Sequence, residues 1–411
     1  MAGSVFMKTL RVGIIGVGNI GTAHCGCIAN GRIKGMTLAA LCDIDPEKRR
    51  ILAGKYPVPF FEDGDELIKS GLVDAIIVAT PHRFHPHYCE TALKNGIHAL
   101  SEKPAGVNVS EVKLLNKVAE ASGAKFGIMF NQRTDGLFRK AKEIIEAGGI
   151  GEPKRLVWIV TNWYRTQSYY NSGSWRATWN GEGGGVLLNQ APHNIDLWQW
   201  LFGIPSRIRA FCGEGKYHRI AVEDEATIYA EYANGATAVF ITTTGEAPGT
   251  NRLEISGDRG KIVLEKSTLT YTSLMTPERE FCFTCEKGAA LPPMTETSYI
   301  IPQGRDGHEL ILENFAAAVL EDAPLIAPGT EGIRELSISN AAFLSSWTDS
   351  WVNLPLSDED CAGFDRILEE KRKAEKAVEE AAGGEKTAGN KGDAGKSTGK
   401  ERYISRWNVK W

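Results

Sequence analysis

Several groups of residues in this chain have the types and spacing to do chemistry. The run Gly16-Val17-Gly18-Asn19-Ile20-Gly21 follows a short apolar stretch and opens a helix-like one. In that setting Gly16 permits a tight turn, Gly18 lets the backbone approach a pyrophosphate, and Gly21 lets the helix pack close on the strand. The helix start, at Asn19 and Ile20, offers N–H groups and a partial positive charge to phosphates. Asp43 ends the next apolar run, about twenty residues beyond the glycines, where a carboxylate accepts ribose hydroxyls and repels a 2′-phosphate. Asp45 is the alternative in the same run. A dinucleotide is expected, and NAD in preference to NADP.

Thr80-Pro81 with His85, and Glu102-Lys103-Pro104, each follow an apolar run. If those runs are parallel strands, both motifs stand at the sheet edge where open α/β sheets bind ligands. A lysine there could steady a developing oxyanion. It could also be a surface lysine. His193 lies in Asn189-Gln190-Ala191-Pro192-His193-Asn194-Ile195-Asp196. Imidazole suits proton transfer at neutral pH, yet a lone His near a helix start is often structural. Asp196, three residues on, faces the same side of the helix and is expected to cap or orient.

Apolar runs at 10–15, 36–42, 73–79, 97–100 and 125–129 must position these residues. Runs this uniformly apolar suit parallel strands covered on both faces. Helical stretches such as 20–30 and 110–121 alternate with them, which predicts a doubly wound α/β Rossmann domain over residues 1–130. The pattern then changes. A helix is expected at 135–147, then strands at 156–163, 208–212, 226–232, 236–243, 252–256 and 261–265, with helices at 191–202, 308–320 and 330–346. That predicts an α+β second domain over 131–356, for substrate and oligomer contacts. Residues 357–411 form an extension. It has a charged helix at 358–382, a Gly- and Lys-rich stretch at 383–400 that cannot bury a core, and a terminal run holding Tyr403, Trp407 and Trp411. Those aromatics fold back on the chain or dock on a neighbouring subunit.

The chain has 411 residues and a formal net charge of −4, without the basic excess that nucleic acid or an anionic membrane attracts. No apolar stretch reaches the roughly 18 residues a membrane helix needs. The N-terminal run lacks the apolar core of a signal peptide, so a cytoplasmic protein is expected. Its eight cysteines include one CxxC, Cys282 to Cys285, with no second pair or nearby His to complete a zinc set. No metal site and no disulfide framework are expected.

With Gly183-Gly184-Gly185 added, these motifs occur in the order and spacing of the glucose-fructose oxidoreductase/inositol dehydrogenase (Gfo/Idh/MocA) family, which the chain resembles over residues 10–356. The resemblance implies a Rossmann domain followed by a domain with a large open, mainly antiparallel sheet. It also implies a homo-oligomer (dimer, tetramer or higher) and nicotinamide-linked chemistry on a sugar or polyol. By resemblance, Lys103 and His193 are the catalytic pair, and Thr80, His85, Glu102 and Lys103 join the glycines and Asp43 around the cofactor. Family members often carry Asp four residues before the His. Here Asn189 stands there, and an amide positions a hydroxyl but takes no proton. Proton transfer then falls to His193, Lys103 or both.

Trp163, Tyr164, Arg165, Tyr169, Tyr170, Trp175, Arg176 and Trp179 crowd one stretch. Aromatic faces stack on sugar rings, and Arg binds hydroxyls; burial against the sheet or at a subunit interface is the alternative. Asn131, Arg133, Trp163, Arg165, Trp175, Arg176, Asn189 and His193 are the expected substrate residues. So many aromatics suggest a glycoside, oxidised at a secondary hydroxyl such as C3. The competing expectations are an enzyme that retains NAD and cleaves glycosides through transient oxidation, and a non-catalytic sensor of NAD and sugar.

Overall fold

In the first strand, β1 (Leu10–Ile15), five of six residues are buried, so the strand must be covered on both faces. It lies between β2 (Met36–Cys42) and β4 (Ala75–Val78), and is parallel to both. With β3 (Phe60–Phe61), β5 (His98–Ser101) and β6 (Phe126–Ile128), the sheet order is β3-β2-β1-β4-β5-β6, parallel throughout. This is the doubly wound order, with its topological switch between β1 and β4. The computed structural model describes residues 9–173, 175–302 and 304–385. Expectations for residues 386–400 and for the terminal aromatics lie outside these limits.

A second sheet has nine strands: β7 (Pro153–Val160), β8 (Arg207–Glu214), β9 (Glu223–Glu231), β10 (Thr237–Thr243), β11 (Asn251–Gly257), β12 (Gly260–Glu265), β13 (Thr268–Leu274), β14 (Met294–Tyr299) and β15 (Val352–Asn353). Their order is β14-β13-β12-β11-β7-β10-β9-β8-β15. The sheet is mixed, because β7 and β10 run parallel while β8–β9, β9–β10, β12–β13 and β13–β14 are antiparallel. Alternating burial in β7 and β9 marks one face against a core. The polar pattern of β14, almost wholly exposed, gave no periodicity to read.

By packing, the chain forms two compact units rather than the contiguous domains expected with cuts at 130 and 356. Of the described residues, one takes 9–152 with Pro192–Gly203 and Gly257–Ser337; the other takes Pro153–Ala191, Ile204–Ser256 and 338–385. In the first unit, helix Pro192–Phe202 is tied down by Arg133. The Arg133 guanidinium forks onto Asp196 (Nε to Oδ2 2.8 Å, Nη2 to Oδ1 2.6 Å) and reaches Glu331 at 2.6 Å. Arg133 and Asp196 side chains are both 1% exposed. This corrects the expectation that Arg133 binds substrate: its donors are committed to two carboxylates and the Ile326 carbonyl. Asp196 orients the helix through this pair, and Gln199 adds a bond at 2.9 Å.

In the second unit, Trp158 and Phe240 pack edge to face in the core. Gly185 lies against β9 so closely that a Cβ there would be 1.9 Å from the Glu223 carbonyl oxygen. The Glu223 carboxyl accepts from the Gly185 and Leu187 N–H groups at 2.8 and 2.9 Å. The triple-glycine motif is thus a packing device. The CxxC cysteines lie on or just after a short helix, Glu278–Thr284, with Cys282 exposed and both thiols free. No group of His, Cys, Asp and Glu among the described residues could hold a metal ion. No described helix is long and apolar enough to cross a membrane.

Removing one partner of a buried ion cluster strands the others. Arg133→Met should therefore cost about 3–5 kcal/mol, read as a lowered denaturation midpoint. A loss under about 1 kcal/mol would mean the triad does not hold the helix.

Candidate active site

The glycine turn sits at the switch point. Gly16 has φ +89°, and a Cβ there would lie 2.7 Å from the Ala79 carbonyl group and 2.8 Å from Thr80 N. Only glycine permits that approach between the loops after β1 and β4. A Cβ on Gly21 would lie 2.0 Å from Gly16 O, whereas one on Gly18 would meet nothing within 4 Å. Space is therefore left beside Gly18 and not beside Gly21. Helix Asn19–Ala29 starts there with Gly18 as its N-cap and no side-chain cap. Thr80 Oγ1 is buried with no hydrogen-bond partner.

Asp43 is 8% exposed and is fastened inward. Its Oδ2 accepts from Val17 N at 2.9 Å and Lys48 Nζ at 3.1 Å, and Oδ1 from Asp45 N at 3.0 Å. The carboxylate thus pins the glycine turn, and oxygen lone pairs remain for a hydroxyl donor. Asp45 caps helix Pro46–Ala53. His85 lies between two carbonyls, with Nδ1 2.8 Å from Pro104 O and Nε2 2.8 Å from Thr80 O. Burial holds its pKa below the ordinary value. It is a clamp between the loops after β4 and β5.

Glu102 and Lys103 follow β5. Glu102 Oε1 meets His24 Nε2 at 2.8 Å, with both side chains buried, so the carboxylate ties the loop to the helix of the glycine turn. Burial raises the Glu102 pKa, but the His24 bond and charge, helped by Lys103 and His308, outweigh that and hold it at about 2. His193, at the start of helix Pro192–Phe202, packs its ring edge-on to Phe130. Its Nδ1 is buried without a hydrogen-bond partner. Burial pushes its pKa down to about 3, with Lys103 and His308 adding to the fall and Glu102 opposing it. The imidazole is therefore neutral at physiological pH. Asn131 Nδ2 reaches His308 Nδ1 at 3.2 Å, and Asn131 Oδ1 is buried without a partner.

The other predicted substrate residues lie in the second unit. Arg176 stacks on Tyr169 and Trp175, and its Nη1 is 2.9 Å from Tyr169 Oη. Arg165 stacks on Trp163 and Tyr169. Asn189 Nδ2 donates to Glu182 Oε1, which also lies 3.7 Å from Arg176 Nη1. Trp179 and Tyr170 are core residues, 3% and 6% exposed, while Trp163, Trp175, Arg165 and Arg176 are half-buried.

Residues 10–130 match the oxidoreductase family with an NAD-binding Rossmann fold, and residues 138–263 match the GFO/IDH/MocA C-terminal domain, together more than half of the chain. The chain belongs to the Gfo/Idh/MocA oxidoreductase family. It is similar to the inositol 2-dehydrogenase of Rhizobium meliloti, 23% identical over 82% of this chain and 97% of that one. It is also similar to the levoglucosan dehydrogenase of Pseudarthrobacter phenanthrenivorans, 26% identical over 85% of this chain and 99% of the other. Among solved structures, the WlbA dehydrogenase of Bordetella pertussis, in complex with NADH and UDP-GlcNAcA, shares the fold. Its TM-score is 0.71 at 24% identity, covering 85% of this chain and all of that one.

NAD is the cofactor of this oxidoreductase. The residues present fit it. Open space beside Gly18, an uncapped helix start and the orphaned Thr80 hydroxyl form a cradle at the switch point. His24, His308, Glu182 and Glu223 were not legible from the sequence. His24, His308 and Glu223 sit far along the chain from the groups they support, and Glu182, only five residues from Ala177 and seven from Asn189, is marked by no short motif.

Two outcomes test the cradle. Gly18→Ala should leave the melting temperature unchanged yet weaken NAD binding by about tenfold, while Gly21→Ala should lower both. Equal effects would contradict the geometry. The His193 ring also has a pH signature. Its folded pKa is about 3 and the ordinary value about 6.5, so across that window the unfolded chain binds a proton that the folded protein refuses. The stability this group contributes is full above pH 6.5 and is lost as pH falls toward 3. Proton NMR should find the His193 ring neutral from pH 8 to 5; a midpoint near 6.5 would refute the burial argument.

Proposed function

We propose that this oxidoreductase oxidises a secondary hydroxyl of a sugar or glycoside, with C3 of a glucoside as the specific target. The observation that carries the reading is a buried, neutral imidazole, His193, whose Nδ1 has no partner and whose pKa is set in part by the charges of Lys103 and Glu102. NAD, when bound, takes up the hydrogen and two electrons of the carbinol C–H bond. His193 accepts the hydroxyl proton on a ring nitrogen, and the carbonyl forms as the O–H and C–H bonds break. Lys103 stabilises negative charge developing on that oxygen. Glu102 stays ionised and holds His24, which fixes the backbone carrying Lys103. Asn131 adds a polar contact. Within the second unit, taken by itself, Asn189 and Arg176 are suited to binding sugar hydroxyls, and Arg165, Trp163 and Trp175 to ring faces.

The sugar class is supported by two relatives, one named for inositol and one for levoglucosan. A levoglucosan dehydrogenase structure with NADH and levoglucosan shares the fold at a TM-score of 0.68. A glycoside rather than a bare sugar is supported by the stacked arginines and aromatics of the second unit. We also propose a cytoplasmic homo-oligomer.

A single-turnover experiment tests the reading. The protein at high concentration is mixed with NAD and a panel of glucosides, hexoses and inositols. Reduced nicotinamide is followed by absorbance and products by mass spectrometry. A ketone from a glucoside is expected, with the rate lowered about 100- to 10,000-fold in His193→Ala and about 100-fold or more in Lys103→Ala. Turnover of free inositol alone would overturn the glycoside assignment. Glycoside cleavage without net NADH would replace dehydrogenation by transient oxidation.

A further inference from the structure

These relatives reach 82–85% of this chain while covering nearly all of themselves, so part of the chain has no counterpart in them. Helix Asp358–Glu385 lies beyond the residues matched to the family. Its first turns are anchored in the second unit. Phe364 is 1% exposed and stacks on Trp347, which stacks on Phe343. Two turns on, the helix turns polar side chains toward the segment that holds Arg176 and Glu182. Lys371 Nζ lies over the rings of Trp179 and Trp347 and is 2.7 Å from Glu214 Oε1. Arg372 Nε donates to Trp179 O at 3.2 Å. Glu375 Oε1 accepts from Trp179 N at 3.1 Å, and Oε2 accepts from Asn180 N at 2.9 Å and Asn180 Nδ2 at 2.8 Å.

The segment so gripped is a tight knot. Ala177 adopts φ +53°, which a side chain rarely tolerates unless its surroundings impose it. A Cβ on Gly181 would lie 2.1 Å from Trp175 O. Ala177 N donates to Glu182 Oε2 at 2.6 Å, and Glu182 N and Gly183 N donate to Thr178 O. The opposite carboxylate oxygen of Glu182 holds Asn189 and faces Arg176. One side of the knot is therefore held by Glu375, and the other holds the two side chains that bind substrate in the reading above.

We infer that Glu375 is a positioning residue for substrate binding, and that the C-terminal helix sets sugar affinity by fixing the 177–182 knot and, through Glu182, Arg176 and Asn189. This rests on the substrate role proposed for those two residues. Without Glu375, Trp179 N and Asn180 N lose their acceptor, and Asn180 Nδ2 keeps only the Arg372 carbonyl. The knot then loosens while NAD binding, which belongs to residues of the other unit, does not change.

The test uses the full chain, loaded with NADH for the exchange measurement and saturated with NAD for turnover, comparing Glu375→Ala, Glu375→Gln and Lys373→Ala. Lys373 faces solvent and pairs only loosely with Glu369, at 3.9 Å, and serves as the control. Amide exchange by mass spectrometry should rise at least tenfold over residues 177–183 and also rise over 184–191 in Glu375→Ala. It should rise less in Glu375→Gln, which keeps one acceptor oxygen, and not at all in Lys373→Ala. KM for the sugar should rise about tenfold in Glu375→Ala, with kcat and NADH affinity within about twofold. Faster exchange confined to 177–183, or a lowered melting temperature with unchanged KM, would reduce Glu375 to a structural tie and overturn the inference. If the wild-type protein oxidises no carbohydrate, the proposed function fails, and the exchange pattern still decides whether the clamp reaches 184–191. Should Glu375→Ala not fold, the exchange pattern and KM of Glu375→Gln decide between the same outcomes.

Discussion

The first unit depends on one steric constraint, the approach of the Gly16 turn to the Ala79–Thr80 peptide. No side chain fits between them. Because of that contact, the loops after β1 and β4 share the switch point, and the start of helix Asn19–Ala29 lies at the same edge of the sheet as Thr80. The surrounding polar bonds act on this geometry. Asp43 secures Val17 from the β2 side, and Glu102 secures His24 from the β5 side. His85 lies between Thr80 O and Pro104 O, and its one N–H donates to one of them. Lys103 is therefore carried by a backbone braced against the cofactor helix, and its position follows from the packing of glycines far earlier in the chain.

The same unit treats two buried polar groups in opposite ways. Arg133 is ionised and buried in pairs: two carboxylates and a carbonyl take four of its five N–H donors. His193 is left with an unpaired nitrogen and is made neutral by burial and by Lys103. An unpaired buried polar atom costs stability, and folding alone does not require it. The contrast separates a paired anchor from an imidazole with an unpaired nitrogen, although both residues belong to polar clusters and looked alike as candidates. Sequence spacing cannot draw that distinction, because it depends on whether a distant carboxylate, here Asp196 or Glu331, reaches the group.

Much of the first unit was legible for a physical reason. Parallel strands buried on both faces leave long apolar runs, and a glycine turn has a fixed spacing. Hence β1, β2, β4, β5 and β6 and the glycine turn after β1 could be read, while the two-residue β3 could not. The second sheet was harder. Its β7 to β12 carry enough apolar alternation to be seen, whereas β13 and β14 are polar ladders held by cross-strand backbone bonds. The charged helix was legible from composition, but its face was not. Lys371, Arg372 and Glu375 look like solvated charges until Trp179 and Asn180 are placed beside them.

Carboxylates organise the second unit much as glycines organise the first. Glu223 takes the N–H groups of Gly185 and Leu187, and burial pushes its pKa up to about 8 against those bonds. Asp224 takes three consecutive N–H groups, from Lys216 to His218, and His218 in turn reaches Arg165 O at 2.8 Å. Glu182 takes Ala177 N and Asn189. In each case an acceptor with two oxygens gathers donors from a loop that lacks a ladder of its own. A loop held in this way can be changed in sequence at its exposed positions without losing its shape, provided the carboxylate remains. Arg165, through its carbonyl and His218, and Arg176, facing Glu182, belong to segments held in this way.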